Sequence, residues 1–88
     1  MRISRSDIEY RVVYANIILE KLGADMRITY RRENGWHVIE ESALDGTPYA
    51  DYRRFSGDIH AVYDHIVGFN RALIITQAIA NGESPLRS

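Results

Sequence analysis

Apolar residues recur at helical spacing through SGDIHAVYDHIVGFNRALIITQAIA, the stretch from Ser56 to Ala80. At 100° per residue, Ile59, Val62, Tyr63, Ile66, Val67, Phe69, Leu73 and Ile74 fall on one wide face. Ala61, Gly68, Ala72, Ile75 and Ile79 fall on the opposite side. The pattern predicts one helix of roughly six turns, capped by Ser56, with Asp58 favourable in its first turn. Asn81-Gly82 and then Pro85 predict its end.

A second helical pattern opens the chain. Ser6-Asp7-Ile8-Glu9 fits a capping box, and Gly23 predicts a stop after Leu22. Ile8, Val12, Ala15, Ile18, Leu19 and Leu22 share one face, and Tyr10, Val13, Tyr14 and Ile17 the other. Glu9, Asn16 and Glu20 form a narrow polar strip between them.

Between the helices, DMRITYRRENGWHVIEES alternates as a β-hairpin around Asn34-Gly35. A two-residue turn would pair Glu33 with Trp36 and separate Trp36 and Val38 from Ile28 and Tyr30. A three-residue turn with Gly35 as a bulge pairs Arg32 with Trp36 and gathers Ile28, Tyr30, Trp36 and Val38 on one buried face. A buried face fixes register, so the three-residue turn is the expected one. Arg27, Thr29, Arg31, His37, Ile39 and Glu41 would then line the wetter face. The segment 47–55, TPYADYRRF, fits a third strand, an irregular link or a short helical turn, with Pro48 tolerable near a sheet edge.

The expected architecture is therefore α+β: an N-terminal helix, a β-hairpin with or without a third strand, and a long C-terminal helix. It forms a single small domain over 1–88, with 1–5 and 82–88 as flexible tails. At 88 residues such a domain buries only about 60–65% of its unfolded surface. Domains this small gain stability from disulfides, metals or oligomerisation. With no cysteine, disulfides and thiolate metal sites are excluded, and oligomerisation is the expected helper.

Composition adds little chemistry. The chain is 45% hydrophobic and 26% charged, which fits a folded domain rather than a disordered tail. Its net charge of −1 gives no bulk electrostatic footprint for nucleic acid or anionic lipid. No apolar run reaches the roughly 18–20 residues of a membrane span, and the N-terminus lacks a signal-peptide core. A cytoplasmic protein is expected.

His60 and Asp64 stand at i and i+4, with His65 beside them, but two ligands make no metal site and no third follows at a recognisable spacing. No serine sits in a nucleophile elbow, the six glycines are dispersed, and Glu40-Glu41 would point to opposite faces of a strand. The expectation is a non-enzymatic protein without metal or other cofactor. Arg27, Arg31 and Arg32 near Tyr30 and Trp36, with Arg53-Arg54 beside Tyr49, Tyr52 and Phe55, resemble the pattern of β-ribbon nucleic-acid readers. Asp25, Glu33, Glu40 and Glu41 offset most of that charge. Nucleic-acid binding is thus the alternative to protein binding.

Two stretches, ISRSDIEYRVVYANIILEKLG and FSGDIHAVYDHIVGFNRAL, are similar to small uncharacterised proteins of phages and related mobile elements. Those have a capped helix, a short β segment and a closing helix. Their Gly- and Tyr-rich strand region is not found here, and about half the chain carries the likeness. The resemblance implies an accessory protein acting on a host protein, with no catalytic residue or cofactor carried over. The residues expected at a homodimer or partner interface are Ala61, Gly68, Ala72, Ile75 and Ile79, with Tyr10, Tyr14 and Ile17 as a second patch.

Overall fold

A computed structural model describes residues 2–47 and 54–83. The chain runs α1 (Arg5–Lys21), β1 (Arg27–Glu33), β2 (Trp36–Ser42), β3 (Arg54–Gly57) and α2 (Ile59–Ala80). The strands form one antiparallel sheet in the order β1-β2-β3. Both helices cover the same face, α1 over β1 and α2 over β2 and β3. The α+β architecture read from the sequence is the one observed, and it includes a third strand. That strand overlaps the expected segment only at Arg54 and Phe55; residues 48–53, with Pro48, Tyr49, Tyr52 and Arg53, lie outside the described residues.

Each helix ends as its glycine dictates. Gly23 and Gly82 take left-handed backbone angles of φ 73° and φ 80°. At α1 the N–H groups of Ala24 and Gly23 return to the carbonyls of Leu19 and Glu20. At α2 those of Glu83 and Gly82 return to Ala78 and Ile79. Both ends are Schellman motifs, which satisfy carbonyls that a helix terminus otherwise orphans.

The caps at the other ends correct the sequence reading. Ser4, not Ser6, caps α1, and its reciprocal partner is Asp7, not Glu9: the Ser4 N–H donates to Asp7 Oδ2 at 2.7 Å. Glu9 instead faces Arg5 one turn back, at 3.4 Å. Ser56 belongs to β3, and Asp58 caps α2 by accepting from the Ala61 N–H at 2.8 Å. An aspartate serves as well as a serine at this position, and extending β3 to Gly57 completes its ladder with His37.

The hairpin register is also corrected. Glu33 pairs with Trp36 across a two-residue turn, with Asn34 at φ 50° and Gly35 at φ 84°. Two consecutive left-handed residues make the turn whose twist matches that of the strands. His37 and Ile39 therefore join Ile28 and Tyr30 beneath the helices, while Trp36 and Val38 pass to the other face. Ile39 is buried in the core rather than on a wet face, and Trp36 is 57% exposed rather than packed. Val38 stays buried between its cross-strand neighbours Arg31 and Ser56.

The core lies between sheet and helices. Ile8, Val12, Ala15, Ile18 and Leu19 of α1 meet Val62, Ile66 and Leu73 of α2 over Ile28 and Ile39. Asn16 ties α1 to the sheet edge. Its amide donates to the Ile28 carbonyl at 2.9 Å and its oxygen accepts the Ile28 N–H at 2.7 Å. Counting back from the turn, Ile28 is a non-hydrogen-bonded position, so both its backbone groups point away from β2. Asn16 takes the place of a missing neighbouring strand there.

Candidate interaction surface

The helices bury one face each and leave the other to solvent. On α1, Tyr10, Val13, Tyr14 and Ile17 are all exposed, Tyr10 by 68% and Ile17 by 46%. They are successive i, i+3 and i+4 neighbours and form one continuous apolar stripe. Arg11 lies on the flank toward α2, where its guanidinium stands 5.9 Å from the Tyr63 ring centroid.

The expected stripe on α2 divides. Gly68, Ala72 and Ile79 are exposed, and a Cβ built at Gly68 would meet no atom within 4 Å. Ile75 is half-buried. Ala61 is half-buried, its Cβ 3.2 Å from where a Cβ on Gly57 would stand. Beyond Leu73 no described residue of α2 is buried, although Ala72–Gly82 carries no charged side chain. Ile74, assigned by periodicity to the core face, is 46% exposed in that segment. The sheet ends before the helix does.

Asn70 is the polar residue that apolar periodicity overlooks. It is fully buried on the core face of α2, where its amide donates to the Arg11 carbonyl at 3.1 Å. Among the described residues its side-chain oxygen has no hydrogen-bond partner.

Among the described residues, the arginines of the sheet do not gather into one basic patch. Arg31, on the helix-free face, donates to Glu33 at 2.8 Å and Glu40 at 3.2 Å. Arg54 donates to the same Glu33 at 2.7 Å, so one charge network crosses all three strands. The two arginines hold the Glu33 carboxyl below its usual range. Arg27 shares that face and is exposed; Arg32 lies on the other face and donates to the Gly35 carbonyl at 2.9 Å. Arg53 lies outside the described residues.

The histidines divide by environment. His65 stacks flat on Phe55, ring centroids 4.2 Å apart, and burial lowers its pKa. The pair lines a shallow cleft with Ile39, Glu41 and Phe69. His60, on the preceding turn, and Asp64, beside His65, are exposed. Among the described residues no three His, Asp or Glu side chains converge as metal ligands, and no helix is long and apolar enough to cross a membrane. His37, expected on the wetter face, is buried beside Tyr30.

Comparison with known proteins returns no matching family model, no similar curated protein and no similar solved structure.

Proposed function

We propose that this protein is a non-enzymatic binding module that works by docking apolar helix surface against another polypeptide. The observation that carries the reading is the outer surface of the helical layer. Tyr10, Val13, Tyr14 and Ile17 stand exposed as one stripe of α1, and Ile74 and Ile79 of α2 are exposed as well, on a chain this small. Contiguous exposed apolar patches on soluble monomers are commonly functional. Burial of that surface, with close approach over Gly68 and Ala72, supplies the binding energy. The occupants in view are a second copy of the chain or, following the phage-like resemblance, a host protein. A cytoplasmic setting fits this reading.

The nucleic-acid alternative draws less support. Arg31 and Arg54 spend their donors on Glu33 and Glu40, and Arg32 faces away from them. A salt-dependent association with DNA or RNA, lost on replacing Arg27, Arg31 and Arg32, would revive it.

Gly68→Leu and Ile17→Glu test the docking reading, because neither side chain is needed inside the fold. Native mass and affinity capture from a host lysate are compared between these variants and the parent chain. The expected result is an assembly or a reproducible captured protein that at least one variant loses. A parent chain that is monomeric and captures nothing sinks the reading.

A further inference from the structure

We infer that the occupant of the α1 stripe is the α1 stripe of a second copy, packed antiparallel about a two-fold axis at Tyr14. This deepens the docking reading and rests on it. Tyr10 and Ile17 stand seven residues apart, and Val13 fills the intervening position of a 3-4 repeat, so the outer face of α1 has the spacing of a helix-pairing seam. Along one flank of the seam run Asp7, Tyr14 and Lys21, again at intervals of seven. In an antiparallel pair each flank faces its own copy. Tyr14 then meets Tyr14 on the axis, and Asp7 of each copy stands level with Lys21 of the other. A parallel pair would set this flank against the opposite flank of the other copy, so only the antiparallel arrangement brings Asp7 and Lys21 level with each other. The seam is self-complementary, as a two-fold interface requires.

The area fits a modest dimer. The four exposed side chains offer on the order of 400 Å² of apolar surface, about half of the ~800 Å² per partner of a standard interface. The pairing is therefore concentration-dependent, and the charged flank helps to set its register.

The chain has no cysteine, so single-cysteine variants report proximity directly. Tyr14→Cys is expected to cross-link into a covalent dimer under mild oxidation, whereas Gly68→Cys is not. By sedimentation, the parent chain shifts from monomer to dimer with concentration. Ile17→Glu weakens that dimer roughly tenfold or more with unchanged helical circular dichroism. Lys21→Glu weakens it less, and less still at high salt. A dimer that cross-links through Gly68→Cys and not Tyr14→Cys overturns the α1 pairing while leaving the docking reading intact. A parent chain that stays monomeric at millimolar concentration overturns the self-pairing; docking to another protein is then decided separately by capture.

Discussion

The hydroxyl of Tyr30 and Nδ1 of His37 lie 2.6 Å apart beneath the N-terminus of α1. They are diagonal neighbours on β1 and β2, their rings nearly coplanar in orientation, 5° apart. Burial lowers the His37 pKa, and the positive charges of Arg32 and Arg5 lower it further, against the weaker opposing pull of Asp58. Burial likewise raises the Tyr30 pKa, so the phenol keeps its proton. In the neutral tautomer that carries its proton on Nε2, Nδ1 accepts from the phenol.

Acidification therefore weakens the fold before any carboxylate is involved. The unfolded chain binds a proton at His37 near the ordinary histidine value of about 6.5, and the folded chain only below it. Stability is complete above that value and declines as pH falls toward the folded pKa. His65, also lowered by burial, acts in the same direction. Urea unfolding at pH 7.5 and pH 5 should show the loss, and His37→Gln should flatten the difference between the two. An equal pH slope in that variant would place the effect elsewhere. Glu33 and Asp45, lowered by their hydrogen bonds, add their own losses only below the ordinary carboxylate range.

Asn16→Ala should cost about 2–3 kcal/mol in chemical denaturation, because it leaves the Ile28 N–H and carbonyl of an edge position without their partner. Glu20→Ala, one turn further along the same strip and exposed, should cost little. Similar losses at both sites would mean that Asn16 does not clamp the strand.

Trp36 and Ile39 separate the two hairpin registers. With Trp36 exposed, its fluorescence is red-shifted and readily quenched by acrylamide in the native state, and Trp36→Ala costs about 1 kcal/mol or less. Ile39→Ala, which opens a hole in the core, costs about 2–5 kcal/mol. The three-residue turn requires the reverse order.

Asn70→Asp should be markedly worse than Asn70→Ala at neutral pH, since it places a carboxylate against the Arg11 carbonyl in a dry site. The acid is neutral when buried, so its folded pKa is raised. The aspartate variant therefore regains stability as pH falls toward about 4, opposite in sign to the His37 effect. Denaturation midpoints across that range check both signs.

The parts legible in the sequence are those governed by local repetition. Helical spacing placed Ile8, Val12, Ala15, Ile18 and Leu19 in the core and left Tyr10, Tyr14 and Ile17 outside, because a face is fixed by counting along one element. Gly23 and Gly82 ended helices because few other residues tolerate their backbone angles. The hairpin register depended instead on which residues the sheet would bury. Weight given to Trp36 and Val38 as apolar residues pointed one way, while the preference of Asn-Gly for a two-residue turn pointed the other and prevailed. Sequence pattern alone shows Asn16 only as part of a polar strip, His37 as a residue of the wetter face and Asn70 not at all, for one reason: each is polar and acquires its role from a partner on another element. Asn70 had the clearest signal, since it sits three residues before Leu73 and four after Ile66, within the buried arc.

The last two turns of α2 outrun the sheet and carry no buried residue. Their backbone hydrogen bonds are closed by the Schellman end but are backed only by the half-buried Ile75, Gln77 and Ala78. Opening them costs only a local free energy, well below that of the whole domain. Amide protons from Thr76 to Ala80 should therefore exchange before those of Val62 to Leu73. A partner that seats on Ile79 would be recorded there first, as slowed exchange confined to the end of one helix.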